Sequence, residues 1–302
     1  MQEGKSTRDS RVSGHLRYFS WDREGSSLIL VGDRGRILTI LDNKAISHNS
    51  VTQQNLRGVA SNPTDDTALI VGNAGTVLLF GEGRVRKINA PTFENLRAVS
   101  WNHDGREALI VGNRGVLLKY SEQTVELIDD GQANLRRIAW KPNSNQALIC
   151  SNCFAEEFIP SPNLYRYDAT TDSLTPLNEG RVDLIGTAWE PDAKSALVVG
   201  YDVVWHTGFV GQFDGERLSP IQFESKRMYP VAVSWHPTAH VAAIGTSITQ
   251  PGVGAGSIVV WDGQSFKTLY RNDMFFFSAL AWDPVGRRLA ALASTSTRTF
   301  NC

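Results

Sequence analysis

Seven segments of this chain repeat one pattern, and that repetition limits the possible folds more than any other property of the sequence. Four copies are close: "LRYFSWDREGSSLILVG", "LRGVASNPTDDTALIVG", "LRAVSWNHDGREALIVG" and "LRRIAWKPNSNQALICS". Three are looser: "LIGTAWEPDAKSALVVG", "PVAVSWHPTAHVAAIGT" and "FSALAWDPVGRRLAALA". They align on Trp21, Ser61, Trp101, Trp140, Trp189, Trp235 and Trp282, and in each the second apolar run opens with Ala or Leu seven residues after the anchor. Five copies place a proline two residues after it: Pro63, Pro142, Pro191, Pro237 and Pro284. A fixed period of 39 to 49 residues means that copies of one supersecondary unit stack against each other.

Each unit reads as β-strands. "LRAVSW" alternates apolar and small or polar residues, and "ALIVG" is a short buried run. Between them lie Pro, Gly, Asn and Asp, which favour turns. "GNAG" and "GNRG" then supply residues that tolerate the positive φ of a tight hairpin. A third strand follows, as in "TVLLF" from Thr76 or "SIVVWD" from Ser257, and then a more polar fourth, as in "TVELI" from Thr124. Nowhere does a ten-residue amphipathic helix pattern appear.

Four strands per unit of about 40–45 residues fit a propeller blade. The expected fold is all-β: a single seven-bladed β-propeller over residues 1–302 with four-stranded antiparallel blades. Pro176 and Pro220 fall in fourth strands. Proline cannot donate to a central ladder, so the fourth strand is expected at the outer edge and the anchor strand at the inner one. The seventh unit runs out of sequence before a fourth strand. An N-terminal segment within 1–14, centred on Thr7–Ser13, is therefore expected to complete the last blade and close the ring.

The unit resembles the WD40 repeat: an inner strand ending near "SW-x-P", a second strand, a tight turn, and a third strand ending in WD. The dipeptide itself stands at Trp261-Asp262, with Tyr167-Asp168 and Phe213-Asp214 as near equivalents. The family's Gly-His pair matches at Gly14-His15 and its turn aspartate at Asp33. The resemblance implies a rigid scaffold that binds other proteins.

The formal net charge of −1 gives no global basic field for nucleic acid or an anionic membrane. No apolar run approaches the ~18 residues of a spanning helix, and the polar N-terminus lacks a secretory apolar region, so a cytoplasmic location without membrane insertion is expected. Cys150, Cys153 and Cys302 are too few for a disulfide framework. "CSNC" falls on a strand end and turn rather than a helix N-terminus, and lacks further ligands at zinc spacing, so structural cysteines and no metal or cofactor are expected.

Two features point to a binding face. Four residues before the anchor, the first four copies carry Arg17, Arg57, Arg97 and Arg136, while the others carry Ile185, Val231 and Ser278. In a propeller these positions surround one mouth of the central channel, where guanidiniums could grip carboxylates or phosphates. The alternative is that each pairs with a neighbouring blade's acid or packs its stem on the sheet. The second feature is extra length between the second and third strands of units four to six, expected as long loops on the same face. They carry Glu156, Glu157, Phe158, Tyr201, Trp205, His206, Phe209 and Gln250.

No nucleophile elbow, P-loop or dinucleotide fingerprint is present. The expected function is a non-enzymatic protein-interaction platform. Its partner would be a protein or peptide with an acidic segment, and the chain would be a monomer or a subunit of a larger complex. The alternative is a propeller hydrolase or lyase acting on a small anionic or glycan substrate at the channel mouth.

Overall fold

A computed structural model of the chain describes residues 15–131, 133–152, 161–202, 205–223, 228–250 and 253–294. Every unit begins with its anchor strand: Leu16–Trp21, Leu56–Ser61, Leu96–Trp101, Asn134–Trp140, Val182–Trp189, Met228–Trp235 and Phe276–Trp282. Within a blade the strands follow one another as an antiparallel meander, the first blade adding Ser27–Gly32, Ile37–Leu41 and Lys44–His48. Pro176 and Pro220 sit in fourth strands that pair on one side alone, as their missing N–H requires.

The number of complete blades differs from expectation. Among the described residues there are six four-stranded blades, not seven; the seventh unit forms a two-stranded sheet, Phe276–Trp282 with Leu289–Ser294. The residues proposed to complete it, 1–14 and 295–302, lie outside the described residues. What is described still closes a ring, because the seventh sheet packs against both the sixth blade and the first.

The core is distributed rather than central. Seven apolar clusters each lie between two successive sheets. Phe19, Leu30 and Leu38 of the first blade meet Ala279 of the seventh sheet, and Ala243 and Ile258 of the sixth blade meet Phe277 and Leu280. A blade covered on both faces buries the apolar run of its second strand. Ala68, Leu69, Ile70 and Val71 are all buried, so "ALIV" is a continuous apolar run rather than an alternating one.

Four of the six anchor tryptophans clamp neighbouring sheets through Nε1, while Nε1 of Trp235 and Trp282 has no hydrogen-bond partner among the described residues. Trp101 Nε1 donates to the Ala60 carbonyl at 3.0 Å, Trp140 to Ser100 at 3.1 Å, and Trp189 to Ala139 at 3.2 Å. Each acceptor precedes the anchor of the preceding blade by one residue. Trp21 repeats the bond across the closure, to Ala281 of the seventh sheet at 3.0 Å. Arg288 adds to this joint: it stacks over Trp21 with its Cζ 4.8 Å from the ring centroid and donates to the Gly25 carbonyl. Among the described residues no helix is long and apolar enough to cross a membrane.

Candidate functional site

All seven anchor strands carry a register shift at the same place. In the first, Leu16 pairs with Gly32 and Tyr18 with Val31, leaving Arg17 as the extra residue of a β-bulge. The same shift isolates Arg57, Arg97 and Arg136, then Ile185, Val231 and Ser278. A bulge bends its strand and re-aims the extra side chain. Each strand starts on the face where second strands turn into third strands, so the four arginines gather at one mouth of the ring.

Their Nε groups are committed to the fold. Arg57 donates to Asn73 Oδ1 at 2.7 Å, Arg97 to Asn113 Oδ1 at 2.8 Å, Arg136 to Asn152 Oδ1, and Arg17 pairs with Asp33. The acceptor lies sixteen residues on in the same blade: Asp33, Asn73 and Asn113 at the hairpin turn, and Asn152 at the end of the second strand. Those turns need left-handed backbone, with Arg34, Ala74 and Arg114 at φ of 54°, 51° and 50°, each followed by a positive-φ glycine. The next blade holds each turn from its other side: Asn55, Asn95 and Asn134 accept from the amides of Arg34, Ala74 and Arg114 at 3.0–3.2 Å. The sequence reading offered a neighbouring blade's acid as each arginine's alternative partner. Arg17 has a carboxylate there, Asp33 of its own blade, and Asp183 of the neighbouring fifth blade acts on Arg136.

The electrostatics follow from this geometry. Burial, and then repulsion from Arg136, Arg57, Arg137 and Arg17, lowers Arg97 to about 9, so it stays protonated at neutral pH. The charges acting most strongly on it are all arginines, and among the described residues it forms no ion pair. Arg136 is also lowered, by burial above all, with Asp183 of the fifth blade partly offsetting the effect. No carboxylate of the described residues is among the charges acting most strongly on Arg97.

One residue deeper, the inner strands carry Tyr18, Gly58, Ala98, Arg137, Gly186, Ala232 and Ala279. The small residues sit where neighbouring inner strands approach closely; a Cβ on Gly58 would lie 3.2 Å from the Ala98 Cα. The two large residues meet across the axis, with Arg137 of the fourth blade 4.7 Å from the ring centroid of Tyr18 of the first. They form a cation–π floor beneath the arc. The sequence reading passed over both, although two bulky residues in a column of Gly and Ala were visible there.

The expected long loops divide into three cases. In the sixth blade the extra length extends the ladder instead, as Ala242–Gln250 and Val253–Trp261 pair out to Gln250 with Val253. The Thr/Ile alternation of "TSIT" suits a strand better than a loop. In the fifth blade Tyr201 packs edge-on against Tyr229 of the sixth at 5.7 Å, His206 is exposed, and Trp205 is 76% exposed. Glu156, Glu157 and Phe158, with Cys153, lie outside the described residues. Two further apolar residues stand on this face: Phe93, 92% exposed, and Met274, 76% exposed, each eight residues before its anchor. Their shared register was legible; their exposure was not.

Cys150 is buried, its Sγ 3.9 Å from the Gly186 carbonyl oxygen, and burial pushes its pKa well above the usual thiol range. That matches the expected structural role rather than a reactive thiol.

No family model and no curated protein matches the chain. Among solved structures it is similar to a chain of Kuenenia stuttgartiensis hydrazine synthase, with a TM-score of 0.70 and 10% identity, covering 98% of this chain and 100% of that one. At that identity the likeness shows the β-propeller fold alone.

Proposed function

We propose that this propeller is a non-enzymatic interaction platform whose working face carries the arginine arc. One observation supports this most: four bulged inner strands bring Arg17, Arg57, Arg97 and Arg136 to one mouth, with Trp205 exposed on the same face. A protein or peptide with an acidic segment would meet the arc, which would set orientation and association rate, while burial of Trp205 would hold the complex. The WD40 likeness in sequence fits such a role.

The rival reading, a hydrolase or lyase, calls for a convergent pair of carboxylates. Among the described residues, Asp33 pairs with Arg17 in the first blade and Asp183 of the fifth acts on Arg136, on separate blades. The platform reading is therefore preferred.

The test is affinity capture from the native source with the wild-type chain and the double reversal Arg57→Glu/Arg97→Glu, alongside melting curves. Loss of a captured protein from a folded double variant supports the reading. Capture that survives the reversal assigns the partner to another surface.

A further inference from the structure

The arc is more than a generally basic surface. Its members differ in how far their charge is already met. Arg17 is matched by Asp33, and Arg136 is partly matched by Asp183. Arg97, at the centre, is surrounded by arginines, with an amide, Asn113, where the first blade has a carboxylate. Beneath it Arg137 lies over Tyr18 across the axis, so the mouth has a positively charged floor as well as a rim. On the other side of the ring the same bulged register carries Ile185 and Val231. The mouth is cationic on one side, and on the other the two apolar side chains stand with Ser278 in the same register.

A single carboxylate supplies one negative charge and two acceptor oxygens, too little for Arg97, Arg136 and Arg137 together. A phosphate monoester supplies ~1.5–2 negative charges near neutral pH and three strong acceptors. Guanidiniums fixed through Nε are ready to bind such a group without losing much side-chain freedom. We propose that this mouth is a binding site for a phosphate monoester with an apolar or aromatic body. Its phosphoryl oxygens are held at Arg97 with Arg57 and Arg136, and its body lies toward Ile185 and Val231. This deepens the platform reading and rests on the same mouth being the working face. The phosphoryl group belongs either to a phosphorylated side chain of a partner or to a small phosphorylated molecule, and the chemistry at the arc is common to both.

The first blade shows how to test the site without dismantling it. Asp33 does for Arg17 what Asn113 does for Arg97, so Asn113→Asp keeps the acceptor that positions the arginine while placing a negative charge at the mouth. The full chain is titrated calorimetrically with phenyl phosphate and benzoate at constant ionic strength, and each variant is melted in parallel. Phenyl phosphate is expected to bind at least tenfold more tightly than benzoate. Asn113→Asp is expected to weaken phenyl phosphate by ~10- to 100-fold, the loss of a charge-assisted contact, with an unchanged or higher melting midpoint. Arg97→Lys, which keeps the charge and removes the planar fork, gives a second readout should Asn113→Asp fail to fold.

Equal affinity for phenyl phosphate and benzoate, no saturable binding, or undiminished binding in the folded variants would overturn the proposal. A phosphotyrosine peptide that binds more tightly than phenyl phosphate assigns the group to a partner chain; equal affinity assigns it to a small molecule. Arginine-dependent capture without phosphate binding removes this inference and leaves the platform. Saturable phosphate binding without capture does the reverse.

Discussion

Replacing Trp21 with Phe tests how the ring is closed. The substitution keeps an aromatic of similar shape but deletes the 3.0 Å bond from Nε1 to the Ala281 carbonyl. A hydrogen bond of this kind contributes about 1 kcal/mol net. The Arg288 guanidinium, 4.8 Å from the ring centroid, adds ~0.5–1 kcal/mol, part of which the smaller ring retains. The expected loss is about 1.5 kcal/mol. A 302-residue chain melts with an entropy of roughly 0.6 kcal/mol per degree, so the midpoint should fall by ~2–3 °C. Trp101→Phe, which breaks the equivalent bond between the second and third blades, supplies the scale. Differential scanning calorimetry of both variants, with Arg288→Ala and the Trp21/Arg288 double variant, measures the coupling as well as the shift. An unchanged midpoint for Trp21→Phe beside a clear drop for Trp101→Phe would show that the seventh sheet does not hold the first blade.

Two further outcomes are expected. Gly112→Ala should cost ~2 kcal/mol or more in denaturant unfolding, because its Cβ would stand 2.7 Å from the Asn95 carbonyl oxygen, and backbone has little room to give; tolerance of alanine there would mean the turn and the next inner strand are not latched as described. The raised thiol of Cys150 contributes stability that is complete below the unfolded thiol's pKa of about 8.5 and is lost as pH climbs above it, since only the unfolded chain then ionises. Melting midpoints should decline from pH 8 to 10, and less steeply for Cys150→Ala; identical slopes would contradict the burial assigned to this side chain.

The fold was legible because the chain states its unit seven times. The anchor, the seven-residue step to the second strand and the edge prolines each have a direct cause in clamp, ladder and rim. The number of complete blades was less legible, since a sheet becomes a full blade only when distant residues pair with it. The arginine arc could be read from register, but its wiring was missed although the signal was present. Where the bulge carries Arg, the residue sixteen positions on is Asp33, Asn73, Asn113 or Asn152; where it carries Ile185, Val231 or Ser278, that residue is Tyr201, Ser247 or Ser294. The copies vary together because the two side chains bond. Contacts across the axis, such as Arg137 with Tyr18, leave no such trace, because they join different copies and occur once.

The turn contacts also bear on how such a chain could arise. The second and third copies each hold a hook, the asparagine that reaches back to the preceding hairpin, and an eye, the hairpin that the next copy's asparagine reaches. A gene segment encoding both halves can be duplicated in tandem, and the new copy joins its neighbours with no fresh mutation. The basic half of the mouth would then have grown by copying, one guanidinium per duplication, before any ligand selected for the set.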